Sequence, residues 1–304
     1  MVLFKQGFLS ADVVMKIARI STKNSSTYGI VVDGRFASRE TLQKNLGRAL
    51  PSSVCDFFEL LALNAKLKAK LVSAAEKADK AIDSVKLLAP VDGRPKVICI
   101  GLNYIDHVRE LGVKPPDEPI MFMKPYTAIT GPADPIEYPS HITKLDYEAE
   151  LGIVIGRRCK DVKMRVNDNI TGYVVFNDVT ARDLQFKDGQ WTRGKSFDTF
   201  APIGPWVVTA DEIDNPQNLK VVSRVNGEIR QNSNTRNMIF DVEAIVSFVS
   251  RVMTLDAGDI IATGTPPGVG VFWKPQPRLL KVGDMVEIEI EDIGTIKNKV
   301  IAKV

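Results

Sequence analysis

The sequence predicts a β-rich α+β protein: a mixed β-sandwich or roll over residues 92–304, behind a small N-terminal α/β domain of residues 1–91. Three observations carry this. Short apolar runs punctuated by Gly-Asp turns at Gly258-Asp259 and Gly283-Asp284 recur through the second part, as many short strands would. The regular strand–helix alternation of a doubly wound fold is missing. The character of the chain changes at Val91-Asp92-Gly93, from helical spacing before it to strand-like runs after it.

Residues 1–32 read as short strands, with Val2-Leu3-Phe4 and residues 28–35 forming a small hairpin, and residues 33–37 read as a turn. The same segment carries Lys5, Lys16, Arg19 and Lys23 against the single acid Asp12, a faint likeness to a mitochondrial presequence. Apolar residues at helical spacing over 56–63 follow Ser52 or Ser53 as N-cap. An Ala/Lys/Glu-rich second helix over 65–82 presents a solvated face and ends before Pro90. Strands are expected at 96–101, 149–156, 170–176, 203–208, 219–225, 259–262 and 285–290, interrupted by one amphipathic helix over 242–253.

Composition excludes several function classes. Forty basic residues nearly balance thirty-seven acidic ones, so the formal charge of +3 does not suit a nucleic-acid binder. Cys55, Cys99 and Cys159 lie far apart and form no CxxC pair, which fits a reducing, intracellular compartment. No apolar run reaches the roughly 18 residues of a membrane span, so a soluble protein is expected. With only His107 and His141, a three-imidazole zinc site is impossible. Any metal must be held mainly by oxygen, which points to Mg²⁺ or Mn²⁺, with Ca²⁺ also compatible.

Carboxylates at the right spacing exist. Glu148 and Glu150 are i and i+2 on a strand, on one face and roughly 6–7 Å apart. Like charges that close repel unless a cation or solvent intervenes. Asp178, at the end of the run 172–177, is the candidate third ligand. Taken alone, the pair equally fits the solvent-facing side of an edge strand. His107 and Glu110 stand at i,i+3 on one helical turn, so Glu110 can accept from one ring nitrogen and raise the basicity of the other. Arg182 and Gln185 follow Asp178; the guanidinium can clamp a substrate carboxylate bidentately or pair with Asp183. Gly264-Thr265-Pro266-Pro267-Gly268 lacks the GK[ST] of a phosphate loop, yet its amides and the Thr265 hydroxyl can bind a carboxylate. His141 matches no motif and reads as a loop residue.

Five motifs in order carry a resemblance. They are Cys99-Ile100-Gly101-Leu102-Asn103-Tyr104-Ile105-Asp106-His107, residues 146–151, Asn177-Asp178-Val179-Thr180-Ala181-Arg182-Asp183-Leu184-Gln185, Gly194-Lys195-Ser196-Phe197-Asp198-Thr199, and Thr263-Gly264-Thr265-Pro266-Pro267-Gly268-Val269-Gly270. Residues 95–304 thereby resemble the fumarylacetoacetate hydrolase family. The stretches 189–200, 233–235 and 269–272 are similar to its branch called fumarylacetoacetate hydrolase domain-containing protein 2. The resemblance implies a β-rich roll with Glu148, Glu150 and Asp178 as metal ligands, His107–Glu110 as a dyad on a lid, and Lys195 as the active-site lysine. The family's larger hydrolases carry a fourth carboxylate seven residues before the histidine, where this chain has Ile100, so fumarylacetoacetate hydrolysis itself is not implied.

The chemistry expected is that of a hard cation chelating a small-molecule 2-oxo acid and stabilising the enolate formed when C3 loses a proton, CO₂ or an acyl group. The branch implies oxaloacetate enol–keto tautomerisation. Acylpyruvate C–C hydrolysis and oxaloacetate decarboxylation are the alternatives. For tautomerisation His107 with Glu110 moves the proton, Lys195 and Arg182 hold carboxylate charge, and Gln185 and Thr265 position the substrate; for hydrolysis the same dyad activates water. A homodimer, a mitochondrial location and no nucleic-acid or membrane partner complete the expectations.

Overall fold

The computed structural model describes residues 14–303 apart from 24, 76, 77 and 79. The described chain opens on a meander of β1 (Lys16–Ser21), β2 (Ser26–Val32) and β3 (Arg35–Ser38). Residues 35–37 are strand rather than the expected turn, because Asp33 and Gly34, both at positive φ, reverse the chain by themselves. Val2-Leu3-Phe4, expected as a hairpin arm, lie outside the described residues.

Ser38 then caps α1 (Arg39–Leu46) through the Thr41 amide. The Ser53 cap is found as expected, its hydroxyl accepting from the Cys55 and Asp56 amides at the start of α2 (Val54–Ala62). The next helix, α3 (Ala65–Ala75), is shorter than the expected 65–82. Its intended tail is different: Lys80–Ala81 (β4) pairs with β3, and Ile82–Ser84 forms a 3₁₀ turn before β5 (Leu87–Leu88).

The second part runs β6 (Val97–Gly101), α4 (Ile105–Leu111), β7 (Ile120–Lys124), β8 (Ile129–Thr130), β9 (Ile136–Tyr138) and β10 (Leu145–Asp146). Next come β11 (Ala149–Ile155), β12 (Ile170–Asn177), β13 (Thr180–Ala181), α5 (Arg182–Asp188), α6 (Thr192–Lys195) and β14 (Ala201–Thr209). It ends with β15 (Lys220–Val225), β16 (Glu228–Asn234), α7 (Val242–Val252), β17 (Ile260–Ala262), β18 (Met285–Ile290) and β19 (Gly294–Ala302).

Among the described residues, twelve strands form one sheet along the path β4-β3-β2-β1-β14-β12-β11-β17-β6-β7, with β5 on β1 and β8 on β14. Five more, β16-β15-β18-β19-β9, form a second sheet. This is the sheet-rich α+β class that the sequence predicts.

Side-chain alternation explains the layering. From β11 and β12, Leu151, Ile153, Tyr173 and Val175 turn to one face and pack with Val221, Ile288 and Ile296 of the second sheet and Ile245 and Val249 of α7. Val154, Val174 and Phe176 turn to the other face and meet Phe57 and Phe58 of α2 and Leu71 of α3. Each such buried side chain contributes about 1.5–3 kcal/mol. The N-terminal helices therefore roof the same sheet whose central strands carry the carboxylates, and β1 joins it directly, Lys16 pairing with Val208 of β14. No helix among the described residues is long and apolar enough to cross a membrane.

Candidate functional site

The antiparallel register of β11 and β12 builds the carboxylate cluster. Ala149 pairs with Asn177 and Glu150 with Phe176, so Glu148 and Asp178 leave the two strands side by side. The Asp178 amide donates to the Glu148 carbonyl at 3.0 Å, and the Glu148 amide to Asn177 Oδ1 at 3.1 Å. Glu148, Glu150 and Asp178 are all buried, and each offers one oxygen within 4.8 Å of the others. The edge-strand alternative for the glutamates is thereby excluded.

Three cations touch these acids. Lys195 Nζ donates to Glu148 Oε2 at 2.8 Å and Asp178 Oδ2 at 2.6 Å. Lys124, from the last position of β7, donates to Asp178 Oδ1 and to the Val179 carbonyl. Arg182 Nη1 lies 2.7 Å from Glu148 Oε1. Glu150 receives instead the Gly264 amide at 2.8 Å. Residue 264 has φ 98°, and a Cβ there would stand 2.9 Å from Asn103 Cβ and 3.0 Å from the Ile100 carbonyl oxygen, so the turn requires glycine.

This division separates the carboxyl groups electrostatically. Burial pushes Glu148 up, but Lys195 and Arg182 outweigh it and hold the group well below the usual carboxylate range. Burial, Asp178 and Glu148 all push Glu150 well above that range. Burial lowers Lys124 despite its contact with Asp178. Lys195 is raised, because Asp178 and Glu148 prevail over its own burial. Three buried carboxylate oxygens at this spacing, without sulfur or imidazole, fit one hard divalent cation.

His107 lies opposite, on the two-turn α4. Its Nδ1 is 2.8 Å from Glu110 Oε2, the pairing expected from i,i+3 spacing. The other Glu110 oxygen accepts from the Gly268 amide at 3.2 Å, which anchors the pair to the Gly264–Gly268 turn. His107, Glu148, Glu150, Arg182, Gln185, Lys195 and Thr265 line a single cleft of about 120 Å³. That is well short of the roughly 300–1,000 Å³ that accepts drug-sized ligands. A wider groove of about 420 Å³ beside Leu61 and Tyr173 holds none of these groups.

Aromatic rings close the mouth: Phe122 meets Trp191 edge-on at 5.4 Å, and Phe272 lies 6.1 Å from His107 and 6.3 Å from Phe186. Trp191 covers Gly101, where a Cβ would come within 2.1 Å of its ring. His141 lies elsewhere, exposed against Phe197.

Two expectations need correction. Arg182 neither pairs with Asp183 nor keeps two free nitrogens for a bidentate fork. Its Nε binds Asp146 Oδ2 at 2.8 Å and its Nη1 binds Glu148 and Gln185, so only the buried Nη2 lacks a partner. Thr265 cannot donate to a substrate carboxylate, because its hydroxyl donates to the Ala149 carbonyl at 3.1 Å while accepting from Gln231 Nε2 at 2.8 Å. It can offer only a lone pair.

Lys124, Asp146 and Gln231 were not foreseen as parts of the site. Lys124 had one available signal, a lysine closing the apolar run Ile120-Met121-Phe122-Met123. Asp146 heads the motif 146–151 without showing its role, and Gln231 had no signal, since the site groups each binds are far away in the chain.

A cleft of this size, with three clustered acids beneath a histidine–glutamate pair in a two-sheet frame, defines a class of enzymes acting on small molecules. The chain belongs to the fumarylacetoacetate hydrolase family: residues 96–301 match the family described as fumarylacetoacetate (FAA) hydrolase C-terminal. Like its members, it is an enzyme. A protein of Archaeoglobus fulgidus is 56% identical over 218 residues, 71% of this chain and 82% of that one. Oxaloacetate tautomerase fahd2, mitochondrial, of Xenopus laevis is 46% identical over 263 residues, 83% and 80% of the two chains. The structure of maleylpyruvate hydrolase from Sphingobium sp. SYK-6, in complex with manganese(II) ion and pyruvate, superposes with TM-score 0.77 at 30% identity, covering 95% of this chain and 100% of that one.

Proposed function

We propose that this chain is a Mg²⁺- or Mn²⁺-dependent oxaloacetate enol–keto tautomerase. The observation that carries the reading is the His107–Glu110 pair facing a buried three-carboxylate cluster across one small cleft. The likeness to the frog tautomerase and to a hydrolase solved with manganese and pyruvate supports it.

Glu148, Glu150 and Asp178 would hold the ion, which as a Lewis acid would polarise the 2-oxo group and favour its enolate. Tautomerisation moves one proton between the enol oxygen and C3. Glu110 binds Nδ1 of His107, so Nε2 is the atom that takes and returns that proton. The free Nη2 of Arg182 receives the substrate's far carboxylate, and Lys195 balances the charge that develops at the 2-oxygen. Gln185 holds Arg182 at 3.0 Å, and Thr265 fixes the strand edge beside the substrate. Phe186, Trp191 and Phe272 limit water at the mouth, which favours proton transfer over hydrolysis.

Relatives this similar come from an archaeon and from frog mitochondria, so no compartment is attached to the proposal. A homodimer belongs to it, and sedimentation equilibrium checks that part.

The test follows the ultraviolet decay of enol-oxaloacetate, with pyruvate release from oxaloacetate and acetylpyruvate cleavage run beside it. Enol decay should depend on Mg²⁺ or Mn²⁺, stop in EDTA, and be lost in His107→Ala and Glu148→Ala. Full activity of Glu148→Ala would remove the metal site. The manganese-bound neighbour favours a second reading, acylpyruvate hydrolysis, which would replace the first if acetylpyruvate alone turned over.

A further inference from the structure

Asp146 is fully buried, lies outside the lining of the cleft and outside the carboxylate cluster, and yet satisfies four donors. Its Oδ1 accepts from the amides of Tyr147 at 3.0 Å and Gly270 at 2.7 Å. Its Oδ2 accepts from the Val271 amide at 2.9 Å and from Arg182 Nε at 2.8 Å. A carboxylate has about four acceptor sites, so this one is fully engaged.

Two parts of the cleft meet here. One is Arg182, whose remaining donors divide between Glu148, Gln185 and the unpartnered Nη2. The other is the turn Gly270–Phe272, whose Phe272 ring leans over His107. Chain geometry protects the junction: a Cβ on residue 270 would stand 2.5 Å from Asp146 Oδ1 and 2.5 Å from the Arg278 carbonyl oxygen.

We infer that Asp146 is a positioning residue that sets substrate specificity: by fixing Arg182 Nε it aims the free Nη2 at the far carboxylate of a dicarboxylic substrate. This rests on the assignment of Arg182 to that carboxylate. The Asp146 charge matters as well as its shape. Asparagine keeps the shape but presents an NH₂ group either to the Tyr147 and Gly270 amides or to the Val271 amide and Arg182 Nε. One side of the junction therefore opens, and Arg182 loses its anchor directly or through the displaced turn.

The test compares two non-reacting probes in Mg²⁺-loaded enzyme by calorimetry: malate, with two carboxylates, and lactate, in which a methyl group replaces the carboxymethyl arm. Wild type should bind malate at least about tenfold more tightly, the effect of one charged hydrogen bond. Arg182→Gln should abolish that preference. Asp146→Asn should reduce it several-fold with lactate affinity unchanged, and the double variant should be no worse than Arg182→Gln alone. Gly270→Ala pushes the turn and the carboxylate apart without removing either, and should give the same selective loss if Asp146→Asn fails to fold.

A malate preference that survives in Asp146→Asn or Gly270→Ala, or losses that multiply in the double variant, would overturn this inference alone. Absence of any preference in wild type would overturn the dicarboxylate reading and this inference with it.

Discussion

Replacing Lys124 by methionine tests the charge balance at the floor of the cleft. Lys124 and Asp178 are both fully buried, and the ammonium donates to Asp178 Oδ1 and the Val179 carbonyl. Methionine keeps most of the stem and removes the charge, leaving Asp178 with Lys195 alone at 2.6 Å. Breaking a buried pair costs roughly 3–5 kcal/mol, against about 0–1 kcal/mol for an exposed one. Because Lys195 remains, the lower end, about 3 kcal/mol, is expected. At roughly 2–4 °C per kcal/mol, Tm falls by about 6–12 °C. Differential scanning calorimetry in EDTA reads the loss. Saturating Mg²⁺ should then narrow the gap, because carboxylates short of one cation attract a divalent ion more strongly. A loss under about 1 kcal/mol in EDTA would refute the charge-balance reasoning. A gap unchanged by Mg²⁺ would refute the divalent site.

Two further outcomes are expected. Glu110→Gln leaves an acceptor beside His107 Nδ1 but no charge, so kcat for enol-oxaloacetate should fall roughly 10–100-fold while KM moves little, as steady-state kinetics will show. Asp92 bears on stability: burial alone would raise its carboxyl, but the Val54 amide, Ser53, Cys55 and Arg19 hold it below its ordinary value. A carboxyl depressed in the folded state stabilises above its unfolded pKa of about 3.9 and stops doing so as pH falls through the folded value. The stability gap between wild type and Asp92→Asn in urea melts should therefore be full at neutral pH and close in acid. A gap independent of pH would assign the effect to shape rather than charge.

The sequence was most informative where a strand is buried on both faces. Residues 151–155 and 172–176 are continuous apolar runs, and the structure packs each against two cores. The α2 helix was legible through the Ser53 cap and its helical spacing. Elements with little to bury were not. α1 hides only Leu42, and β16, an edge strand reading Glu-Ile-Arg-Gln-Asn-Ser-Asn, has the composition of a loop because one edge faces solvent.

The same contrast holds in the site. Glu148 and Glu150 declare themselves by spacing, and His107 with Glu110 by helical turn. Asp178 joins them only through the register of two strands, and Arg182 reaches Asp146 across 36 residues. Such pairings are properties of the folded chain, and no local window contains them.

The seam between β1 and β14 has a consequence for how this protein comes into being. Lys16 must find Val208, and Ile17 must find Val207, so β1, paired early with β2, waits for about two thirds of the chain before its neighbour β14 exists. Until the long sheet closes, the faces of α2 and α3 that cover Val174 and Phe176 rest on β2 alone, Phe57 against Tyr28, and stay partly bare. Closing so distant a contact is slow, and uncovered apolar faces and open strand edges invite aggregation meanwhile. Nascent chains stalled before residue 201 should accordingly be held by chaperones, and those extended past 209 released from them.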